Sequence, residues 1–468
     1  MDGKLKKLLE EHSQWNLLQR FGCLESAQQQ KLERQLLNLD LLSVFQEARK
    51  SHEKRNTSAA NEFHPVIPAN INDHKEDHTR IGRKAYEQGS VAFLLVAGGQ
   101  GSRLGTPIPK VMVPVTPIRQ KSLYQVHAEK VLALCKKYKS SFQLLIMTSP
   151  ATHQPTEEFF RQNSFFGLCE QQVSFFQQSV LPSISMETGD LIFDSNDQLF
   201  TSPDGHGGLL GAIKKAALFK KLKEAGIQHL YYFQVDNPLI QLHDPVFLGM
   251  HIKSESQVSS KCIHKRDVRE KLGNFVEIQG KCHIIEYSDL PKDLAEKTHS
   301  DGTPYYSCGS PAIHVFDVDF LAKMAGNPEA LPYHVARKKV PFIDKNGIRV
   351  TPDSENALKF EKFIFDIFPH AERWLVVSTR REDEFAPLKN NEGEDSPATV
   401  RSAQIALFKK WLGVAGVKIS PENPESPHAI EISPLFALDV EELKSNIQPG
   451  EILHSPILLE CPQNKTGS

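Results

Sequence analysis

The chain has 468 residues, and its 55 basic and 57 acidic side chains leave a formal net charge of −2. This length allows a large buried core in two or three domains, and the balanced charge gives no electrostatic reason to expect a nucleic acid or an anionic membrane as partner. The seven cysteines are scattered without a Cys-x-x-Cys pair, which disfavours a zinc site or a disulfide framework and fits a reducing compartment.

Residues 2–48 carry leucines at helical spacing, such as Leu32 and Leu36, and predict two or three amphipathic helices. These helices are expected to pack on the main domain; a coiled coil or a partner-binding surface is the alternative. The first residues are charged throughout, without the apolar core of a signal peptide, and no apolar run reaches membrane-spanning length. We therefore expect a cytoplasmic protein. Residues 51–80, rich in polar side chains, are expected to be a connecting segment.

From about residue 86 to 375, apolar strands alternate with helical stretches, which predicts a mostly parallel α/β sheet. Loops at the carboxyl edge of such a sheet bind ligands. A polar hinge is expected at 391–401, then a helix at 402–412 and a small module of short strands over 415–468. The predicted strands are 91–97, 142–148, 173–177, 229–235, 258–263 and 312–316, and the predicted helices are 122–138, 155–163, 208–225 and 244–253.

The most informative motif, GGQGSRLG over 98–105, follows the first predicted strand directly. Successive amides in a glycine-rich loop favour phosphate oxygens, Arg103 adds a fixed positive charge, and Lys110 is placed to reach a second phosphate. The loop is neither a P-loop nor a dinucleotide fingerprint, because no Gly-Lys-Ser/Thr follows and Leu104 stands at the third glycine position. It predicts phosphate-ester binding, and an ordinary strand-to-helix turn is the alternative.

Four later segments are predicted to point side chains toward a bound nucleotide. The turn SPDGHGG at 202–208 has an open backbone that suits a base or sugar, or simply starts a helix. Asp236 ends an apolar strand and is either a Mg²⁺ ligand or a capping residue. In FEKFIFDIF, at 360–368, strand alternation places Phe363 and Phe365 on one face, as core or as a pocket wall. The charge run at 380–390 is a solvated face or a loop carrying a lysine to a phosphate.

Together with Glu286-Tyr287-Ser288, these segments resemble the UDP-sugar pyrophosphorylases, and among them the eukaryotic-type UDP-N-acetylglucosamine pyrophosphorylases. The resemblance runs from about residue 86 to the C-terminus and is weaker in the helical N-terminus. It implies an α/β, Rossmann-like nucleotidyltransferase fold with a GT-A-like mixed sheet. The implied organisation is a helical N-terminal region at 1–85, a catalytic domain at 86–390 and a small C-terminal module at 391–468.

The resemblance also implies a role for each matching residue. Arg103, Lys110 and Lys389 would be catalytic groups at the phosphates, and Asp236 would bind Mg²⁺. The nucleotide would be held by Gly98, Gly99, Gly101, Gly205 and His206. The sugar would contact Gly273, Glu286, Ser310, Phe363 and Phe365, the two phenylalanines forming the wall of an N-acetyl pocket.

The implied reaction forms a UDP-sugar and pyrophosphate from UTP and a sugar 1-phosphate, most simply N-acetylglucosamine 1-phosphate. His206 and Ser310 stand where the family has asparagines that contact the sugar, which leaves the identity of the sugar open. The alternatives are glucose, galactose or N-acetylgalactosamine 1-phosphate as substrate, or a non-catalytic nucleotide-sugar binder. A phosphate monoester is already ionised at neutral pH, so the chemistry needs no general base. We expect Mg²⁺ as cofactor, small-molecule substrates, neither nucleic acid nor membrane as partner, and a monomer or weak homodimer.

Overall fold

A computed structural model of the chain describes residues 1–53, 63–99, 109–420 and 429–461. Internal contacts divide the chain into two compact units. The first unit comprises Met1–Asn61, Gln177–Ala212 and Asn327–Ile367, and the second comprises Glu62–Phe176, Ile213–Gly326 and Phe368–Ser468. The units thus interleave along the chain, a different division from the three consecutive segments expected from the sequence, whose boundaries stay a prediction.

Helices pack on short strands in the first unit. Its N-terminal part forms four helices where two or three were expected: Gly3–Glu11, Trp15–Cys23, Ser26–Leu37 and Leu41–Glu53. Their buried leucines pack against apolar side chains of the same unit, including Leu181 and Phe360. The described strands of this unit are Val180–Pro182, Ile184–Ser185, Phe193–Ser195, Gln198–Leu199, Thr201–Pro203, His334–Lys338, Phe342–Ile343, Arg349–Val350 and Ala357–Glu361.

The strand predicted at 360–368 is wrong beyond its first residues. The strand Ala357–Glu361 ends before Phe363 and Phe365, and a 3₁₀ helix covers Ile364–His370. The period-2 alternation of aromatic side chains is present in the sequence, but tertiary contacts of Phe363 and its neighbours override it. Phe363 and Phe365 nevertheless lie together, with ring centroids 5.1 Å apart.

A mixed sheet forms the centre of the second unit. The strands Val91–Val96, Leu144–Thr148 and His229–Gln234 are parallel neighbours, whereas His314–Asp317 is antiparallel to both of its neighbours. Parallel neighbours need a crossover, usually a helix, but the chain between Val258–His264 and His314–Asp317 includes the hairpin of Asn274–Ile278 with Lys281–Ile285. The order along the sheet is His64–Pro65, Asn274–Ile278, Cys308–Gly309, Val258–His264, His314–Asp317, His229–Gln234, Val91–Val96, Leu144–Thr148 and Val173–Gln177, with Lys281–Ile285 paired to Asn274–Ile278 and Trp374–Ser378 to Val258–His264. The sheet is therefore mixed rather than mostly parallel.

Helices flank this sheet, and short strands follow near the C-terminus. The helix predicted at 208–225 is two helices, because Ala217 has a φ of +54° between them. The expected connecting segment at 51–80 contains the start of a helix at Lys75. None of the helices in the described ranges has the length and apolar character of a membrane span. The helices are Lys75–Glu87, Leu123–Tyr138, Pro150–Gln162, Leu209–Lys215, Leu218–Glu224, Pro245–Lys253, Lys292–Ala295, Val318–Ala325, Arg381–Glu384, Pro397–Val414 and Val440–Asn446, and the late strands are Lys418–Ile419, Ile430–Ile432, Ile452–Leu453 and Ile457–Leu459.

Two helices of the second unit, Lys75–Glu87 and Pro245–Lys253, approach each other through glycines. A Cβ added at Gly82 would lie 1.9 Å from the carbonyl oxygen of Pro245, and one added at Gly249 would lie 1.8 Å from that of His78. The obstructing atoms are backbone atoms, which do not move aside as a flexible side chain does. Glycine is therefore required at both positions for this packing.

Replacing Gly249 by alanine is expected to lower the free energy of unfolding by about 1–3 kcal/mol, the usual cost of overpacking a closed contact. Thermal unfolding followed by circular dichroism measures the effect. Gly211→Ala is the matched control, because Gly211 lies in the helix Leu209–Lys215 with no heavy atom within 4 Å of the added Cβ. Equal midpoints for the two variants would show that the helix pair adjusts without cost.

Candidate active site

Gly98 and Asp236 lie just beyond the same edge of the sheet. The strand His229–Gln234 runs parallel to Val91–Val96 with Gln234 opposite Val96, so both strands end at one level. Gly98 is buried and Gly99 exposed just beyond one strand, and Asp236 follows the other. The carboxyl edge of a parallel pair is where α/β sheets bind ligands. Gly101 and Arg103 lie within 100–108, outside the described residues.

Lys110 and Asp236 form an ion pair at this edge. The Lys110 Nζ lies 3.5 Å from Asp236 Oδ2, and the two side chains are 15% and 14% exposed. The pair is thus shielded from bulk water while both groups keep some access to solvent. An ammonium group and a carboxylate in this arrangement can bind a phosphate and the metal ion that accompanies it.

The segment carrying Lys389 is hydrogen-bonded to the same place. The Leu388 N–H donates to the Asp236 carbonyl oxygen at 2.8 Å, which fixes the backbone of the next residue beside Asp236. The Lys389 N–H donates to the Asp395 carbonyl oxygen at 2.7 Å, and its Nζ lies 4.0 Å from Asp395 Oδ2. Burial raises the pKa of Asp395. Both predicted catalytic lysines therefore lie on segments that contact Asp236.

The donor set suits a metal shared with phosphates rather than one enclosed by protein. Within the ranges that the structure describes, no group of three or more His, Cys, Asp or Glu side chains is arranged to hold a metal. Asp236 offers a single, mostly buried carboxylate at the sheet edge. Mg²⁺ is commonly held in this way, by one or two carboxylates together with substrate phosphates and water.

The turn at Gly205 is tied to the backbone at Lys362 in the first unit. Gly205 has a φ of +83°, and a Cβ there would lie 2.4 Å from the Lys362 carbonyl oxygen. The Gly207 N–H donates to that oxygen at 2.8 Å, and the Lys362 N–H donates to the Asp204 carbonyl oxygen at 2.8 Å. The close approach of the Lys362 backbone is therefore enough to require glycine at 205 and 207, whether or not a ligand also lies there.

His206 packs with the aromatic side chains predicted for the sugar pocket. Its ring is stacked on Phe363 at a centroid distance of 5.2 Å and lies 5.4 Å from Phe365. Its Nδ1 accepts a hydrogen bond of 3.1 Å from the Ile364 N–H, so the neutral ring carries its proton on Nε2. Burial and the nearby His334 lower the pKa of His206 to about 4. His206 therefore belongs with the aromatic cluster as a neutral donor.

Asp204, in the same turn, is a buried carboxylic acid whose stability contribution depends on pH. Burial raises its pKa to about 7, and its Oδ1 has no hydrogen-bond partner among the described residues. A raised acid pKa means that the folded protein holds the proton longer than the unfolded chain, so stability falls as pH rises from about 4 to 7.

In the parent, the free energy of unfolding should fall by on the order of 3 kcal/mol between pH 4 and pH 7, because each unit of pKa shift corresponds to about 1.4 kcal/mol. Asp204→Asn is expected to remove this fall. The measurement is the unfolding midpoint of the variant and the parent across that pH range. Asp353→Asn, at an exposed position, is the control. Parallel curves for parent and Asp204→Asn would contradict the buried, protonated acid.

The sequence did not reveal the pair of His334 and Asp366. His334 Nε2 lies 2.8 Å from Asp366 Oδ2, and the His334 ring lies 4.3 Å from that of Phe363. The pair brings a titratable group to the aromatic cluster from a separate strand, His334–Lys338. Nothing in the spacing of the two residues indicates the contact. Only the antiparallel register that places His334 opposite Glu361 brings them together.

The other predicted sugar-binding residues meet in the second unit. The Ser310 N–H donates to the Gly273 carbonyl oxygen at 2.9 Å. A Cβ on Gly273 would lie 3.6 Å from Glu286 Oε1 and 2.8 Å from a methyl group of Ile284. Asn274, which follows Gly273, pairs with both Ile285 and Gly309. The strands Asn274–Ile278, Lys281–Ile285 and Cys308–Gly309 therefore lie side by side. Gly273, Glu286 and Ser310 thus form one cluster.

Comparison with known proteins identifies the family. The model of the UTP–glucose-1-phosphate uridylyltransferase family matches residues 40–408. The chain belongs to this family. A Xenopus tropicalis protein named UDP-N-acetylhexosamine pyrophosphorylase-like protein 1 is 32% identical over 490 residues. The alignment covers 97% of this chain and 96% of the Xenopus protein. The UDP-N-acetylglucosamine pyrophosphorylase of Saccharomyces cerevisiae is 36% identical over 370 residues, covering 76% and 78%.

A solved structure extends the likeness of this family member to the fold. The crystal structure of a putative UDP-N-acetylglucosamine pyrophosphorylase from Entamoeba histolytica superposes with a TM-score of 0.77 at 32% identity. It covers 85% of this chain and 100% of the other. The α/β nucleotidyltransferase fold and the family expected from the motifs are thereby confirmed.

Proposed function

We propose that the chain is a UTP:sugar-1-phosphate uridylyltransferase whose preferred sugar is N-acetylglucosamine 1-phosphate, working in the cytoplasm with Mg²⁺ as a monomer or weak homodimer. The observation that carries the proposal is the ion pair of Lys110 with Asp236, 3.5 Å apart, beside the segment of Lys389. Two cations and one carboxylate at the edge of a sheet suit a triphosphate. The names of the relatives support the choice of an N-acetylated sugar.

In the proposed reaction, a phosphate oxygen of the sugar 1-phosphate attacks the α-phosphorus of UTP. The bond from that phosphorus to the oxygen bridging to the β-phosphate breaks, and pyrophosphate leaves with the electron pair. The attacking monoester is already an anion, so no side chain has to remove a proton. Such a transition state needs positioning and charge stabilisation above all.

Lys110 and Lys389 supply this stabilisation in the proposal, together with Arg103. Their ammonium groups neutralise the phosphate oxygens, whose negative charge grows toward the leaving pyrophosphate. Asp236 would hold Mg²⁺, which when bound offsets charge on the triphosphate. The ion pair with Asp236 keeps the Lys110 ammonium at the sheet edge before substrate arrives. Gly98, Gly99, Gly101 and Gly205 would lie against the nucleotide.

Two separate groups of residues are assigned to the sugar by resemblance to the family. Glu286 would accept hydrogen bonds from sugar hydroxyls, with Gly273 leaving room beside its carboxylate. Phe363 and Phe365 would contact the acetyl group. His206 would donate from Nε2, because its Nδ1 already accepts from the Ile364 N–H. An apolar wall with a few directed polar groups is the usual composition of a small-molecule site.

A panel of sugar 1-phosphates with UTP, followed by pyrophosphate release, tests this specificity. We expect kcat/KM to be higher for N-acetylglucosamine 1-phosphate than for glucose 1-phosphate. The difference in activation free energy should be about 1–3 kcal/mol, the range for one small apolar group in a matched pocket. Ser310 and His206 should loosen discrimination between gluco and galacto epimers. Ser310→Asn should raise activity toward N-acetylglucosamine 1-phosphate. Equal or better use of glucose 1-phosphate by the parent would overturn the proposed sugar.

A further inference from the structure

A buried charge cluster lies in the second unit, apart from the residues predicted to touch substrate. The Lys261 Nζ lies 2.5 Å from both Asp244 Oδ2 and Glu384 Oε1. Lys261 is 1% exposed and Glu384 2%. Charges removed from water are costly unless paired, so this lysine and its two carboxylates hold one another in fixed positions.

The three members of the cluster come from different elements. Lys261 lies in the central strand Val258–His264, and Asp244 caps the helix Pro245–Lys253 by accepting from the Phe247 N–H. Glu384 ends the short helix Arg381–Glu384, just before the segment that carries Lys389. Burial opposes ionisation of Lys261, but the two carboxylates outweigh it and raise its pKa, while burial raises that of Glu384. Two acids therefore share one ammonium group.

Backbone and amide hydrogen bonds continue from Glu384 toward Asp236. The Asn237 Nδ2 donates to the Glu384 carbonyl oxygen at 2.6 Å, and the Ala386 N–H donates to Asn237 Oδ1 at 3.1 Å. The Leu388 N–H then donates to the Asp236 carbonyl oxygen at 2.8 Å. Residues 385–390 form neither helix nor strand, so these bonds and the buried side chain of Leu388 hold the segment in place.

We propose that Glu384 is a positioning residue for uridylyl transfer: its carboxylate, held by Lys261, fixes the segment 384–389 against Asp236 and so sets the place of the Lys389 ammonium. The inference rests on the proposed role of Lys389. A buried ion pair contributes little net stability compared with apolar side chains of the same size. Its effect here is a defined position for a segment that has no regular secondary structure.

The chain offers a matched pair of variants for the test. Glu384→Gln and Asp244→Asn each neutralise one of the two carboxylates that pair with the Lys261 ammonium group. Neither substitution changes the size of the side chain. Only Glu384 lies on the segment that carries Lys389. We expect Glu384→Gln to lower kcat about tenfold with KM for the sugar phosphate unchanged, as for an interaction that matters in the transition state. Asp244→Asn should change kcat less than about threefold, because Lys261 then pairs with Glu384 alone.

A double-mutant cycle with Lys389→Met separates positioning from general damage. If Glu384 acts through Lys389, Glu384→Gln should have almost no further effect on kcat in the Lys389→Met background. Independent, multiplicative losses, or equal losses for Glu384→Gln and Asp244→Asn at matched unfolding midpoints, would overturn the proposal. Should Lys389→Met turn over like the parent, the role of Lys389 fails and the positioning role falls with it.

A second attachment keeps the proposal testable if Glu384→Gln does not fold. Asn237→Ser removes the amide that joins Glu384 to Ala386 and leaves the Lys261 cluster intact. It should lower kcat in the parent and have almost no further effect after Lys389→Met. Cooperative thermal unfolding of every variant above the assay temperature is the check on folding. Full activity of a folded Asn237→Ser would overturn the fixed-segment account.

Discussion

Lys110→Met and Lys389→Met should each lower turnover about a hundredfold or more, on the order of 3 kcal/mol of transition-state stabilisation. Methionine keeps most of the length and apolar volume of lysine but removes the charge that neutralises the phosphates. The Lys110→Met variant loses the ion pair with Asp236. Lys389 lies on the segment that is hydrogen-bonded to the Asp236 carbonyl oxygen. Initial rates of pyrophosphate release at saturating UTP and sugar phosphate measure the effect.

Folding should be little affected by either change, because the Lys110 and Lys389 side chains keep partial access to solvent. Lys220→Met is the control, since the Lys220 side chain is 79% exposed in the helix Leu218–Glu224. A parent-like rate for Lys110→Met would remove Lys110 from the mechanism. The same result for Lys389→Met would also remove the reason for fixing the segment 384–389.

Asp236→Asn should raise the Mg²⁺ concentration needed for half-maximal rate about tenfold or more. The amide keeps the shape of the carboxylate but removes its charge and one of its two oxygen ligands, and oxygen anions are what Mg²⁺ prefers. The rate measured against Mg²⁺ at fixed UTP gives the result directly. Asp319→Asn, at a side chain that is 81% exposed, is the control. An unchanged Mg²⁺ response would make Asp236 a structural turn residue.

The central strands could be predicted because they are continuous apolar runs. Val91–Val96 and His229–Gln234 lie within one residue of their predicted ranges. The break at Ala217 carries no glycine or proline, so the sequence predicts one helix where there are two. The direction of His314–Asp317 depends on pairing between residues far apart in the chain, which periodicity does not report. The mixed order of the sheet could therefore not be read from the strands alone.

The candidate site, too, could be predicted only in part from the sequence. Asp236 and Gly98 meet the same sheet edge because strand ends can be located from sequence. Lys261 lies within a buried strand, and the sequence does not show which acids neutralise it. Glu384 lies 123 residues away along the chain, within a charge run that is typical of a solvated face. Such contacts between distant residues appear only once the elements are packed.

The most direct measurement is the balance of products from the whole chain, UTP, Mg²⁺ and N-acetylglucosamine 1-phosphate. Phosphorus NMR follows both products, and mass spectrometry identifies the nucleotide sugar. A uridylyltransferase makes UDP-N-acetylglucosamine and pyrophosphate in equal amounts, and added pyrophosphate reverses the reaction. Calorimetric binding of UDP-N-acetylglucosamine, with neither product formed from UTP and any sugar 1-phosphate of the panel, would contradict catalysis and establish a nucleotide-sugar binder.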